Sequence, residues 1–297
     1  MKIRVSQSGV ALLQVLLICM VISLIALQFA RTSQGQIAMA KQFEDRVAAQ
    51  LLASSTINEV MFAQLSYSVS GVSSSKVSMT ELKQRINLHG SPIVWRDNVS
   101  VSVQDLNGLL PQIYPRHILW RYLLERGGMD QKRIENYLGT WQDLQDPDVE
   151  SWRIGDVEPV ALNSGERYLD GYAQTEHPIQ WIFQDDQALL KLLLDVSDVK
   201  SSFDTNIFNS PDVLIDALFQ PSIATEIKNA RNNPAIERLN ITGLLPKDLK
   251  VDNIYQHNSA VRKITVSVIN ENSSWKEEWR VMLSASQDPP FRILSKR

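Results

Sequence analysis

From Val10 to Ala30 the chain runs for 21 residues without a formal charge, and no other feature restricts its folding choices so strongly. At the rise of an α-helix this run is about 30 Å long, enough to cross the hydrocarbon core of a bilayer. A core helix rarely looks like this. A secretory signal peptide shares the basic start, here Lys2 and Arg4, and Ala38-Met39-Ala40 offers a small-x-small cleavage site. Its apolar region spans roughly 7–15 residues, however, and this one is longer. A lipoprotein reading through Cys19 fails because bulky Leu17 and Ile18 precede it where small residues are needed. The run is therefore expected to stay in a membrane as a single span.

The helical pattern continues past Arg31. Ile37, Ala40, Phe43, Val47 and Leu51 recur at three- and four-residue steps, Val60 and Leu65 extend the same face, and no proline interrupts them. This stripe is expected to pack on a sheet. Ser66 to Ser78 is serine-rich and reads as loop or a weak edge strand. Strands are expected at Ile93-Val94-Trp95 and, after the turn Asp97-Asn98, at Val99, Val101 and Val103. The same grammar returns near the end, with alternating Ile264, Val266 and Val268, a turn at 270–273, then Trp279, Val281 and Leu283, and finally Phe291 to Leu294 after Asp288-Pro289-Pro290. Between these flanks the signal changes to short helices, at 116–126, 130–141, 184–196, 210–219 and 222–231, divided by Gly127-Gly128, Gln145-Asp146-Pro147-Asp148 and Asn232-Asn233-Pro234. Strands on both sides of a helical block imply one sheet carrying an insertion. ILWRYL (118–123) and VLIDAL (213–218) share their apolar spacing, with Pro115 and Pro211 just upstream, which suggests two related helical units.

No catalytic constellation emerges. His89, His117, His177 and His257 are dispersed and form no metal-ligand pair, so each reads as a surface or turn residue. Nucleophile-elbow, phosphate-loop and dinucleotide patterns are absent. Asp143, Asp146, Asp148 and Glu150 form an acidic stretch that offers oxygen ligands to calcium, although the spacing is not that of an EF-hand and a solvated loop explains it as well. Arg116, Arg121, Arg126, Lys132 and Arg133 around Gly127-Gly128 invite comparison with a helix-hairpin-helix grip on DNA. Glu125, Asp130 and Glu135 interleave with them, and the whole chain carries a net charge of -3, so nucleic acid is not the expected partner.

The junction between Gly9 and Val10 adds a family resemblance. A short basic leader ends in glycine and the apolar run begins at the next residue, which resembles the type III leader of type IV pilins and secretion pseudopilins. The fifth residue after that glycine, glutamate in major members of the group, is here Gln14. The string YLGTWQDLQDPDVES, with Trp141, Asp143, Asp146 and Asp148, and the ending PPFRILSKR are similar to the protein K family of minor pseudopilins of type II secretion. The family's asparagine-rich stretch is replaced by Leu109-Leu110-Pro111-Gln112, which leaves the start of the insertion open.

The resemblance implies an α+β, pilin-like fold: a long N-terminal helix on an antiparallel sheet, with a large helical, SAM-like insertion. Its parts would be a leader (1–9), a membrane and stem helix (10–66), the first part of the sheet (67–108), the insertion (109–255) and the closing strands (256–297). It implies cleavage by prepilin peptidase after Gly9, methylation of Val10, and a place at the pseudopilus tip for a subunit with Gln14. Calcium is the one metal it suggests. The expected partners are other minor pseudopilins, the secretion machinery and exported substrate, with the body in the periplasm on an inner-membrane anchor. A type IV minor pilin and a membrane-tethered DNA-binding protein are the alternatives.

Overall fold

The computed structural model describes residues 8–66, 86–146, 150–152, 171, 173, 175, 177–232, 258–270 and 273–297. Helix α1 (Ser8–Ser66) is continuous over 59 residues, about 88 Å of rise. Three of its hydroxyls are satisfied without breaking it. The hydroxyls of Ser23, Thr32 and Thr56 donate to the carbonyls four residues back, Cys19 at 2.8 Å, Gln28 at 3.0 Å and Leu52 at 2.8 Å.

Strands β1 (Ile93–Arg96) and β2 (Val99–Asp105) form a hairpin. After the helical block come β5 (Val261–Ile269), β6 (Ser274–Leu283) and β7 (Phe291–Lys296). Together they make one antiparallel sheet of order β1-β2-β5-β6-β7. The β2–β5 ladder, with Val101 opposite Val266 and Val103 opposite Ile264, joins the two sequence flanks. Because side chains alternate across a strand, Val99, Val101, Val103, Ile264, Val266, Val268, Trp279 and Val281 all fall on one buried face. The second half of α1 lies on that face. Ser66 to Ser78, expected as loop or weak strand, lies outside the described residues from position 67 onward.

The intervening block has its own core. It contains α2 (Ile118–Arg126), α3 (Gln131–Asp143), α4 (His177–Ile182), α5 (Gln187–Val196), α6 (Asp212–Leu218) and α7 (Pro221–Asn232), with short strands β3 (Leu110–Pro111) and β4 (Ser197–Asp198) paired in parallel. Leu119, Trp120, Leu123 and Leu124 of α2 meet Leu214, Ile215 and Leu218 of α6, so the two helical hairpins α2–α3 and α6–α7 back onto one another. Trp120 and Trp141 cross edge to face at 4.9 Å, and Trp120 Nε1 donates to the Pro111 carbonyl at 3.0 Å. Gly128 sits at φ +86, and beside it the Gly128 and Met129 amides donate to the Glu125 and Leu124 carbonyls at 3.0 and 3.1 Å, the Schellman ending that glycine allows. Helix α4 and the two-residue β3–β4 ladder were not expected from the sequence, because less than two turns of helix and two residues of strand show no periodicity of their own.

One carboxylate gathers both ends of the block. Asp105, fully buried at the end of β2, accepts from the Asn107 amide at 3.0 Å, the Ser259 amide at 3.1 Å and Asn209 Nδ2 at 2.6 Å, and pairs with Arg262 at 3.2 Å. Burial raises the Asp105 pKa despite the opposing field of Arg262. A second buried pair crosses from block to sheet: Arg280 Nε of β6 donates to Asp198 Oδ2 of β4 at 2.8 Å.

Candidate assembly interface

Helix α1 presents two apolar faces, and the sheet takes only one. The buried face is Ala49, Ala53, Ile57 and Val60, with Thr56 and Met61 beside it. Alanines at 49 and 53 let the helix axis approach the valine rows closely. Polar contacts at the margins fix its rotation: Glu59 accepts from Arg96 Nη2 at 2.7 Å and from Trp95 Nε1 at 3.2 Å, Ser54 donates to Glu277 at 3.0 Å, and Arg46 lies over the Trp275 ring at 5.3 Å.

The stripe expected to meet the sheet points elsewhere. Ile37, Phe43 and Leu51 are 68%, 71% and 66% exposed, Val47 is also exposed, and Phe62, 59% exposed, extends this outward surface near the end of the helix. Of that stripe only Val60 reaches the sheet. The physical reason is that small Ala49 and Ala53 flank Ile57 on the other side and permit closer packing than a row of Ile and Phe would. Residues 37–51 thus leave an apolar face above the uncharged run, with no part of the described body covering it.

Gly9 and Val10 fall in the first turn of α1, and Gln14 is exposed among the apolar residues of the run. Among the described residues α1 is the one helix long and apolar enough to cross a membrane.

The acidic stretch is divided. Asp143 is 3% exposed and already engaged: Oδ2 accepts from Ser151 Oγ at 3.1 Å and Oδ1 from the Trp152 amide at 3.0 Å. Its pKa is raised, first by burial and also by the neighbouring Asp146. The Trp152 ring covers Gly139 of α3 so closely that a Cβ there would lie 2.2 Å from it, so the loop needs both that glycine and that carboxylate. Asp146 is half-buried, Glu150 is exposed, and Asp148 lies outside the described residues. Among the described residues, no three His, Cys, Asp or Glu side chains gather in a metal-binding group.

Arg116, Arg121, Arg126 and Arg133 around the α2–α3 hairpin serve internal contacts. Arg121 pairs with Glu135, Arg116 donates to Gln142, and Arg126 donates to the Ala217 and Phe219 carbonyls of α6 and the turn after it at 3.0 and 3.2 Å. Arg133 lies 5.9 Å from the Tyr137 ring centroid.

His117 departs from the surface or turn residue expected of it. It is 2% exposed and caps α2 through its ring, Nδ1 accepting from the Leu119 amide at 3.3 Å. Its position just before the apolar run ILW was the available signal, because a helix start needs an acceptor there and imidazole can supply one. His89 joins Gln104 in a β-bridge and lies 2.9 Å from Ser91 Oγ, His177 opens α4, and His257 lies outside the described residues.

No family model matches the chain, and among curated proteins there is no significant match. Among solved structures it is similar to a chain of the crystal structure of the GspK-GspI-GspJ complex from the type 2 secretion system of enterotoxigenic Escherichia coli. The TM-score is 0.53 at 11% identity, over 89% of this chain and 98% of that one. The fold is pilin-like and α+β. The expectation of a long apolar helix on an antiparallel sheet with further helices agrees with this likeness.

Proposed function

We propose that this protein is a minor pseudopilin of a type II secretion system, a non-enzymatic subunit acting at the tip of the pseudopilus. The observation that carries the reading is the second apolar face of α1. A helix that merely tethers a soluble body needs one apolar segment in lipid and one face on its own sheet. Ile37, Phe43 and Leu51 belong to neither, and they suit parallel stem helices of other minor pseudopilins. In this reading prepilin peptidase cuts after Gly9, Val10 becomes the methylated amino terminus, α1 crosses the inner membrane once, and the body lies in the periplasm. There the helical block, too wide to fit beneath another subunit, caps the filament and faces the secretion machinery and its substrate.

The test is copurification of the full chain with the other minor pseudopilins of its own cell. Phe43→Glu with Leu51→Glu should cut recovery at least tenfold while the body melts as before. Undiminished recovery would remove the proposal, and recovery with type IV pilus subunits instead would make the chain a minor pilin of that system.

Gln14 supports the tip position within this reading. A carboxylate in lipid is costly unless it meets a cation, and a subunit with nothing above it has no amine to meet. Gln14→Glu should therefore give no gain in assembly, whereas a shaft subunit would gain incorporation along the filament. Calcium remains part of the proposal only through Asp146, Asp148 and Glu150, since Asp143 is committed to the 151–152 loop. If the ion binds, wild type melts higher with calcium than with chelator, and Asp146→Ala with Asp148→Ala abolishes that difference.

A further inference from the structure

At the start of α2 the helical block forms an open pocket of about 630 Å³, within the range of small-ligand sites. Its walls include Ile113, Tyr114, Pro115, His117 and Phe203. The three rings form one edge-to-face cluster, Phe203 standing 5.1 Å from Tyr114 and 5.2 Å from His117. Phe203 remains 39% exposed, an unusual amount for a phenylalanine whose ring already has two aromatic neighbours.

The polar atoms around this apolar space are unequally occupied. Gln145 is fully used, donating to the Gln112 carbonyl at 3.1 Å and accepting from the Ala173 amide at 3.1 Å, and Gln142 accepts from Arg116. His117 differs. Because Nδ1 accepts from the Leu119 amide, the proton of the neutral ring is on Nε2, and Nε2 is buried without a hydrogen bond, the Phe203 carbonyl nearby falling short of bonding geometry. A buried N–H left unpaired costs free energy that a ligand acceptor would recover. Arg116 and Asp146 both line the pocket, so an anion would meet the one carboxylate and a cation the one guanidinium. Neither charge is favoured.

The geometry points to a binding site for a neutral ligand that joins an aromatic or bulky aliphatic group to a carbonyl, the ring packing on Phe203 and Tyr114 and the carbonyl accepting from His117 Nε2. An apolar residue of an extended peptide has this chemistry, and so does a small aromatic ketone.

The test uses the full chain in lipid nanodiscs, with empty nanodiscs as control and saturation-transfer NMR as readout. Three probes separate the sources: N-acetyl-phenylalaninamide for a peptide, 4-phenylbutan-2-one for a small ketone, and butylbenzene for the ring without an acceptor. At least one carbonyl probe should bind wild type more than fivefold tighter than butylbenzene, and the tighter of the two names the source. Phe203→Ala should weaken it at least fivefold. His117→Asn keeps an acceptor for the Leu119 amide but loses the ring and its N–H, and should remove the preference for the carbonyl. The inference is overturned if no probe binds at millimolar concentration, if butylbenzene binds as tightly as the carbonyl probes, or if Phe203→Ala binds like wild type.

Discussion

The two hydrophobic cores of this protein close in different ways. In the helical block, Trp120, Trp141, Leu138 and Leu193 are surrounded on every side by the two hairpins and α5, and the apolar faces of its helices are largely spent on each other. In the stem and sheet, Ala49, Ala53 and Ile57 fill only one side of α1, while Phe43 and Leu51 on the other side stay exposed. The first arrangement is that of a domain that folds for its own sake. The second leaves apolar area on the stem that no described part of the body covers, and the proposed association with other stem helices rests on that area.

The link between the two regions gives the largest expected effect. Asp198→Ala removes an acceptor from Arg280, which is 6% exposed and also pairs with Glu278 at 3.0 Å. Leaving that guanidinium partly uncompensated in the interior should cost about 3 kcal/mol, read as a lowered urea midpoint of the detergent-solubilised chain. If the loss were confined to one of two separate transitions, the pair would not couple the regions.

Acid should weaken the block more than the sheet. Burial pushes the His117 pKa down to about 4 from an ordinary value of 6.5, so the unfolded chain takes up the proton first. The stabilisation is complete above about 6.5 and is lost as pH falls toward 4, roughly 2 kcal/mol between pH 7 and pH 5. Asp143 and Asp105, both raised by burial, act in the opposite direction and soften the loss. Urea titrations at the two pH values should show the drop in wild type and a flatter response in His117→Asn.

The smallest effects compare the faces of α1 directly. Ala53→Leu forces a larger side chain between helix and sheet and should cost about 1–3 kcal/mol. Leu51→Ser, two residues away and outward, should change stability by no more than about 0.5 kcal/mol. Equal losses at the two positions would mean that the body itself covers the outer face.

Much of this architecture was legible because its signals are local. Val99, Val101 and Val103 alternate, as do Ile264, Val266 and Val268, and period-two patterns of β-branched residues specify strands wherever they occur. Gly127-Gly128 ended a helix as expected, since a positive φ is open to glycine. The acidic stretch was legible only as composition: what Asp143 does depends on Trp152 returning to α3, and no spacing announces that.

The sequence by itself determined an uncharged helix of membrane-spanning length, the strands at either flank and the helical block between them, because each follows from neighbours within a few residues. Which side of α1 meets the sheet was decided by tertiary structure. Ile37, Phe43 and Leu51 are the more hydrophobic stripe, yet Ala49, Ala53 and Ile57 are buried, because closeness of approach to a flat valine surface outweighs the hydrophobicity of the helix face alone. The burial of His117 and the carboxylate that ties 105–107 to 258–262 belong to the same category, contacts between segments distant in sequence that exist only once the chain has folded.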